Sequence, residues 1–318
     1  MEYLVSILLF FFIAVTIMVN VWYRQGIKSV NNQSHLKPYL GIQETGNDKI
    51  RNELIQLTRH LEASFPDQYV NKVKERVLRE QKIGLTEWDN RWFEWKRYFV
   101  LRCLVPNLPM PSREIDVIWH EMLHFPEEYE AFCTNFIGKT IEHPERASSK
   151  KTTPHERAWF DLLYITLFQP TQYSPVVWGV FLKNALSQNM VNDWLTLSKE
   201  EIIKKYFSLE NMNYVPGLWN IGDDMIERIR SKFHMVDQHV QMFDGDLNKF
   251  RYNRKLQPYD QDPTLNMLTG VIFLSMVHQE RFPEMYYLLY VRSHPQEVND
   301  YTDLTNTQPP KKPPANFS

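Results

Sequence analysis

The residues with the clearest capacity for chemistry lie in one short run, His120-Glu121-Met122-Leu123-His124. This run satisfies the H-E-x-x-H template. Two histidines one helical turn apart bind zinc, and the glutamate between them deprotonates the metal-bound water. Asp116, His120 and His124 are spaced four apart, so on a helix they share a face. A zinc hydrolase needs a third ligand, and Glu142 or His143 follows 18 or 19 residues beyond His124. Against this reading, Pro126 disturbs the helix where such metal-binding helices stay regular. Glu121 is therefore the catalytic candidate of a zinc metallohydrolase, the alternative to a non-enzymatic function.

The elements that must position these residues can be read from caps and breakers. Pro106 to Pro111 ends the preceding helix, and Ser112 is a good cap for a helix running to Phe125. Pro126 starts the next helix, with Tyr129, Cys133 and Phe136 on one face. Gly138 is a C-cap, and a short loop brings back His143. Two helices joined so tightly pack together, which lets Asp116, Trp119, His120, Tyr129, Cys133 and His143 converge. Three readings of that convergence remain beside the hydrolase. One is a buried hydrogen-bonded network that locks two helices and a loop. Another is a metal or small-ligand site on His120 and His143, with His124 or Cys133 as a further donor. The last is a Cys133–His nucleophilic pair, which a mid-helix cysteine with no activating neighbour disfavours.

The wider pattern P-S-x-x-[IV]-D-x-x-W-H, continued by Tyr129, Phe132-Cys133, Gly138, Ile141 and His143-Pro144, resembles a known family. It is similar to the Trp-His motif region of the glycine-rich-domain-containing-protein-like family. The matching positions are Pro111, Ser112, Asp116, Trp119, His120, Tyr129, Cys133, Gly138, His143 and Pro144. Tyr98-Phe99-Val100-Leu101 matches the family's preceding helix, so the resemblance spans about residues 95–145. It implies a motif of no settled enzymatic activity. In the family the position of His124 is usually apolar, which makes the H-E-x-x-H match incidental. Plant members often carry a second histidine where this chain has Met122, and that departure weakens a metal site of the plant pattern. The glycine-rich tail of plant members is absent here.

Elsewhere the patterning is helical. Asn47 to Ala63 carries Ile50, Leu54, Leu57 and Leu61 at helical spacing. Thr86 caps a helix with an aromatic stripe of Trp88, Trp92, Trp95 and Phe99, read as a buried face. Thr153-Pro154, Ser174-Pro175 and Ser198-Lys-Glu-Glu201 are further helix starts. Only Met285–Val291 could pass for a strand. His234 and His239 fall on different helix faces and read as surface residues. Asp244-Gly-Asp246 lacks the offsets of a calcium loop. Lys249 to Lys255 reads as a solvated helix end rather than a lipid or nucleic-acid patch. The expected fold is all-α, a multi-helix domain over 47–304 following an N-terminal transmembrane helix.

That transmembrane expectation rests on residues 3–22, where 17 of 20 positions are apolar. Twenty helical residues span ~30 Å, the hydrocarbon thickness of a bilayer. Glu2 before the run and Asn20-Val21-Trp22 at its end favour an uncleaved anchor over a signal peptide. Residues 1–23 are thus read as the anchor, with the bilayer as a partner, and 24–46 as a polar juxtamembrane linker. Arg24 and Lys28 on the C-terminal flank place the large domain in the cytoplasm. Two cysteines agree with a reducing compartment. Residues 305–318 read as a disordered Pro-rich tail.

The 318 residues carry 36 Lys+Arg against 38 Asp+Glu, so no basic field points to nucleic acid. Outside the terminal run roughly 40% of residues are apolar, enough for a sizeable core. No phosphate-binding loop or dinucleotide fingerprint is present. The function read from the sequence is a binding or scaffold module, with an unidentified protein or small molecule as partner and zinc as the one cofactor suggested.

Overall fold

A computed structural model describes residues 11–21, 30, 33–43, 48–143, 152–256 and 262–291. The described chain is all-helical, with 76% helix and no strands. After a helix at 11–21 (α1) the order is α2 (Asp48–Ala63), α3 (Tyr69–Gln81), α4 (Leu85–Leu104), α5 (Arg113–Leu123) and α6 (Pro126–Ile137). Then come α7 (Pro154–Leu167), α8 (Ser174–Trp178), α9 (Gln188–Thr196), α10 (Lys199–Tyr206) and α11 (Leu209–Tyr214). The long α12 (Leu218–Phe243), α13 (Leu247–Leu256), α14 (Pro263–Val277) and α15 (Phe282–Tyr286) complete the series. Met285–Val291, the one strand candidate, continues α15 as a π-helical turn over Tyr287–Val291.

The single-pass anchor and the cytoplasmic placement built on it must be corrected. Among the described residues no helix is long and apolar enough to cross a membrane. Residues 3–10 and 22, the rest of the expected span, lie outside the described residues, as does the Pro-rich tail 305–318.

Part of the expected tether belongs to the folded body. Asn90 on α4 accepts from the backbone N–H of His35 and donates to the carbonyl of Gln33. Pro38–Gly41 forms a 3-10 turn that buries Leu40, and Ile42 makes an isolated antiparallel bridge to Phe168. Residues 33–43 thereby run along α4 and the end of α7.

Helix α4 organises the rest, since its faces carry two kinds of burial. One face is the aromatic stripe: Trp88, Trp92, Trp95 and Phe99 stack in sequence with ring centroids 5.3, 4.8 and 4.9 Å apart. Another face carries Glu94 and Arg97, both with 0% exposure. Glu94 accepts from Ser174 Oγ at 2.6 Å, Tyr164 OH at 2.6 Å and Trp178 Nε1 at 2.8 Å. Arg97 donates to Tyr164 OH at 2.6 Å, to the Leu40 carbonyl at 2.8 Å and to the Gln169 carbonyl at 3.1 Å. Its guanidinium also lies 4.3 Å from the centroid of Phe93. Buried charges persist only when paired and hydrogen-bonded on every side, and this pair meets that condition. It ties α4 to the 3-10 turn, α7 and α8.

Local signals explain most helix starts. Ser112, Ser187 and Ser208 accept from backbone N–H groups at the starts of α5, α9 and α11. Thr153 and Ser198 form full capping boxes at α7 and α10. Helix α4 differs from expectation: it starts one residue before Thr86, with Gly84 at the cap and no side-chain cap bond. Helix α12 starts at Leu218 after Gly217 in left-handed conformation, so Asp224 lies within it, paired with Arg228 at 2.8 Å.

A second buried carboxylate sits on α7. Asp161 accepts from Arg157 Nε at 2.7 Å and from the Leu182 backbone N–H at 2.8 Å. Burial outweighs the Arg157 cation and pushes this carboxyl up from the ordinary 3.8 to about 6. The folded state therefore holds the proton more tightly than the unfolded chain. The group's contribution is most favourable below about pH 4 and declines as pH rises to about 6. The melting-temperature difference between the wild-type chain and Asp161→Asn should shrink between about pH 4 and 6 and then stay flat. A difference independent of pH over that window contradicts the assignment.

Candidate metal centre

Helix α5 is set by its N-cap and by burial. Ser112 Oγ accepts from the Ile115 N–H at 3.2 Å, and Ile115, Ile118, Trp119 and Met122 are buried. Trp119 packs edge-on against the α4 ladder, with centroids 6.2 Å from Trp95 and 5.8 Å from Phe99. That packing sets the helix's rotation, and the rotation places Asp116 and His120 one turn apart at the edge of the core.

Helix α6 returns the third residue. It starts at Pro126 and ends at Gly138, whose φ of 75° is left-handed. A Cβ at Gly138 would also overlap the ring of Tyr214, so both conformation and space demand glycine. The chain then passes buried Ile141 to His143. Tyr129 fixes this passage: its hydroxyl accepts from Trp119 Nε1 at 2.9 Å and donates to the Ile141 carbonyl at 2.6 Å.

The result is a three-residue group. His143 Nε2 lies 2.9 Å from Asp116 Oδ1, and His120 Nε2 lies 3.4 Å from Asp116 Oδ2. The two imidazole centroids are 4.5 Å apart, and His143 stands edge-on to Trp119 at 5.1 Å. One donor atom from each of Asp116, His120 and His143 lies within 4.8 Å of the others, so the group can hold a metal ion. Donors on a zinc at ~2.1 Å sit roughly 3.0–3.5 Å apart, so the group must tighten. The half-exposed His120 can supply that movement. The side chains of Asp116 and His143 are 6% and 11% exposed, and that of His120 is 46% exposed.

The other sequence candidates are placed elsewhere. His124 is the C-cap of α5, 57% exposed, with Nε2 3.9 Å from Glu121 Oε2. It stands outside the group of Asp116, His120 and His143, which contains two of the three expected donors, His120 and His143. Glu121 is engaged by Arg76 of α3 at 2.7 Å. The carboxylate expected as the base of the H-E-x-x-H template is thus held in an ion pair with Arg76. Cys133 is buried on α6 and stands outside the group. Burial pushes its thiol up, against the opposing pull of the Ile141 backbone and the Tyr129 hydroxyl. It stays protonated near neutrality and is no activated nucleophile.

Two residues that matter here carry no local signal in the sequence. Arg76 reaches Glu121 from a separate helix, and Arg102 of α4 contacts the carbonyl of Glu142 at 3.5 Å. Both are pairings across more than thirty residues. Asp116, by contrast, carries a local signal as the residue four before His120.

No family model, curated protein or solved structure matches this chain. The side-chain geometry therefore carries the functional reading.

Removing the Tyr129 hydroxyl tests how the loop is held. Tyr129→Phe leaves the buried Trp119 N–H and Ile141 carbonyl without partners, a cost of about 1–3 kcal/mol. Surface substitutions such as His124→Ala stay within ~0.5 kcal/mol. Thermal unfolding should show Tyr129→Phe lowered by several degrees and His124→Ala near wild type. Equal effects would contradict the role given to Tyr129.

Proposed function

We propose that this chain is a helical binding module whose Trp-His motif holds one divalent transition-metal ion, zinc first among them, on Asp116, His120 and His143. The observation that carries this reading is the convergence of three ligand-type side chains within 4.8 Å. Two imidazoles and one carboxylate form a donor set suited to zinc and to other first-row metals. The surroundings support it as well. Trp119, Tyr129 and the Ile141 carbonyl hold the return loop from behind, and outer contacts of this kind orient ligands. The resemblance of residues 95–145 to the glycine-rich-domain-containing-protein-like family points to the same stretch as the working part of the chain. The near balance of acidic and basic residues supports a protein or small molecule as partner over nucleic acid.

A specific observation favours one competing reading, a metal-free network: the 2.9 Å contact between His143 and Asp116 is a good hydrogen bond on its own. Metal content separates the two. The full-length chain, loaded with zinc and freed of excess, should carry about one zinc per molecule by elemental analysis. His124→Ala should retain it, while His120→Ala and His143→Ala should lose it. Wild-type protein without stoichiometric zinc, or zinc lost equally in His124→Ala, would overturn the proposal.

A further inference from the structure

Structural zinc sites close on four protein ligands, whereas catalytic ones keep a position free for water or substrate. Resting on the metal reading above, we infer that the Asp116–His120–His143 centre is of the open kind. Its solvent-facing positions take a small anionic donor, of the carboxylate or azide class, in place of water.

Three observations lead there. The first is the number of donors: among the described residues the group comprises three, one fewer than tetrahedral zinc requires. The second is that Glu121, His124 and Cys133 are engaged elsewhere. The Glu121 carboxylate is bound by Arg76 Nε at 2.7 Å, and His124 lies beside that same carboxylate. The Cys133 thiol is buried among the Tyr129 hydroxyl and the Ile141 backbone, with burial favouring its neutral form. The third is the direction of exposure. Asp116 and His143 are nearly buried, and Trp119 walls the inner side of His143, whereas His120 is 46% exposed. Among the described residues protein therefore covers the inner side of the centre, and its outer side, at His120, faces water.

Charge selects the class of ligand. A divalent ion on one carboxylate and two neutral imidazoles leaves one net positive charge on the centre. The Arg102 guanidinium adds another beside the backbone of Glu142, the residue preceding His143. An anion that displaces water from the metal neutralises that excess, and it does so by ligand exchange alone. The metal keeps its oxidation state, the incoming anion donates a lone pair, and water leaves.

Cobalt(II) in place of zinc makes this visible, because its d–d absorption bands report coordination number and donor type. The full-length chain loaded with one equivalent of cobalt should show d–d bands that change saturably on titration with azide. Acetate should give a weaker change of the same kind. His124→Ala and Glu121→Gln should respond as the wild type does, since neither residue belongs to the centre. Bound cobalt whose bands stay unchanged through the azide titration would overturn the open centre while leaving the metal reading intact. Absence of any stoichiometric cobalt would overturn the metal reading, and the inference with it.

Discussion

The buried pairing of Glu94 with Arg97 is the constraint around which the rest of this molecule is arranged. Neither side chain has any exposure, and a solitary charge at such a depth is expensive to keep. Each must therefore be surrounded by partners, and those partners come from distant segments: Leu40, Tyr164, Gln169, Ser174 and Trp178. Losing one member of a buried pair typically costs about 3–5 kcal/mol because the other is left uncompensated. Helix α4 can neither rotate nor slide without breaking this set. With that face fixed, the Trp88–Trp92–Trp95–Phe99 ladder must present itself to α5 and α6.

The Asp116–His120–His143 group inherits its position from that ladder. Trp119 sits edge-on against Trp95 and Phe99, so the rotation of α5 is decided by aromatic packing rather than by its polar residues. The same indole donates its N–H to Tyr129, and Tyr129 holds the loop that delivers His143. A continuous chain of contacts thus runs from a buried ion pair to a loop histidine. Asp116 and His143 lie at the rigid end of it. His120, on the outer surface of α5, lies at the adaptable end. Two of the three side chains are thus nearly buried and the third, His120, faces solvent.

Much of this was legible in the sequence, for identifiable reasons. The all-α architecture follows from helical spacing, as with Ile50, Leu54, Leu57 and Leu61, and from caps such as Ser112, Thr153 and Ser198, all local signals. Gly138 was readable as the turn that returns His143, since a left-handed C-cap is a property of a few residues. The partner of His120 was not decidable. Asp116 and His124 both stand four residues away, and Asp116 is the one that the return loop meets by bringing His143 to it. Glu94 and Arg97 were hidden for a similar reason, because charged residues inside an aromatic stripe look like its solvated face until the opposite partners are known. The membrane expectation is not met: among the described residues no helix is long and apolar enough to cross a membrane.

The claim that a metal is bound by two imidazoles and a carboxylate is most directly tested by X-ray absorption at the zinc edge of the loaded full-length chain. The geometry predicts a first shell of nitrogen and oxygen at about 2.0–2.2 Å, with outer-shell scattering from two imidazole rings and no sulfur. A sulfur scatterer near ~2.3 Å would assign the ion to a cysteine instead. That result, or scattering from fewer than two imidazoles, would contradict the centre formed by Asp116, His120 and His143.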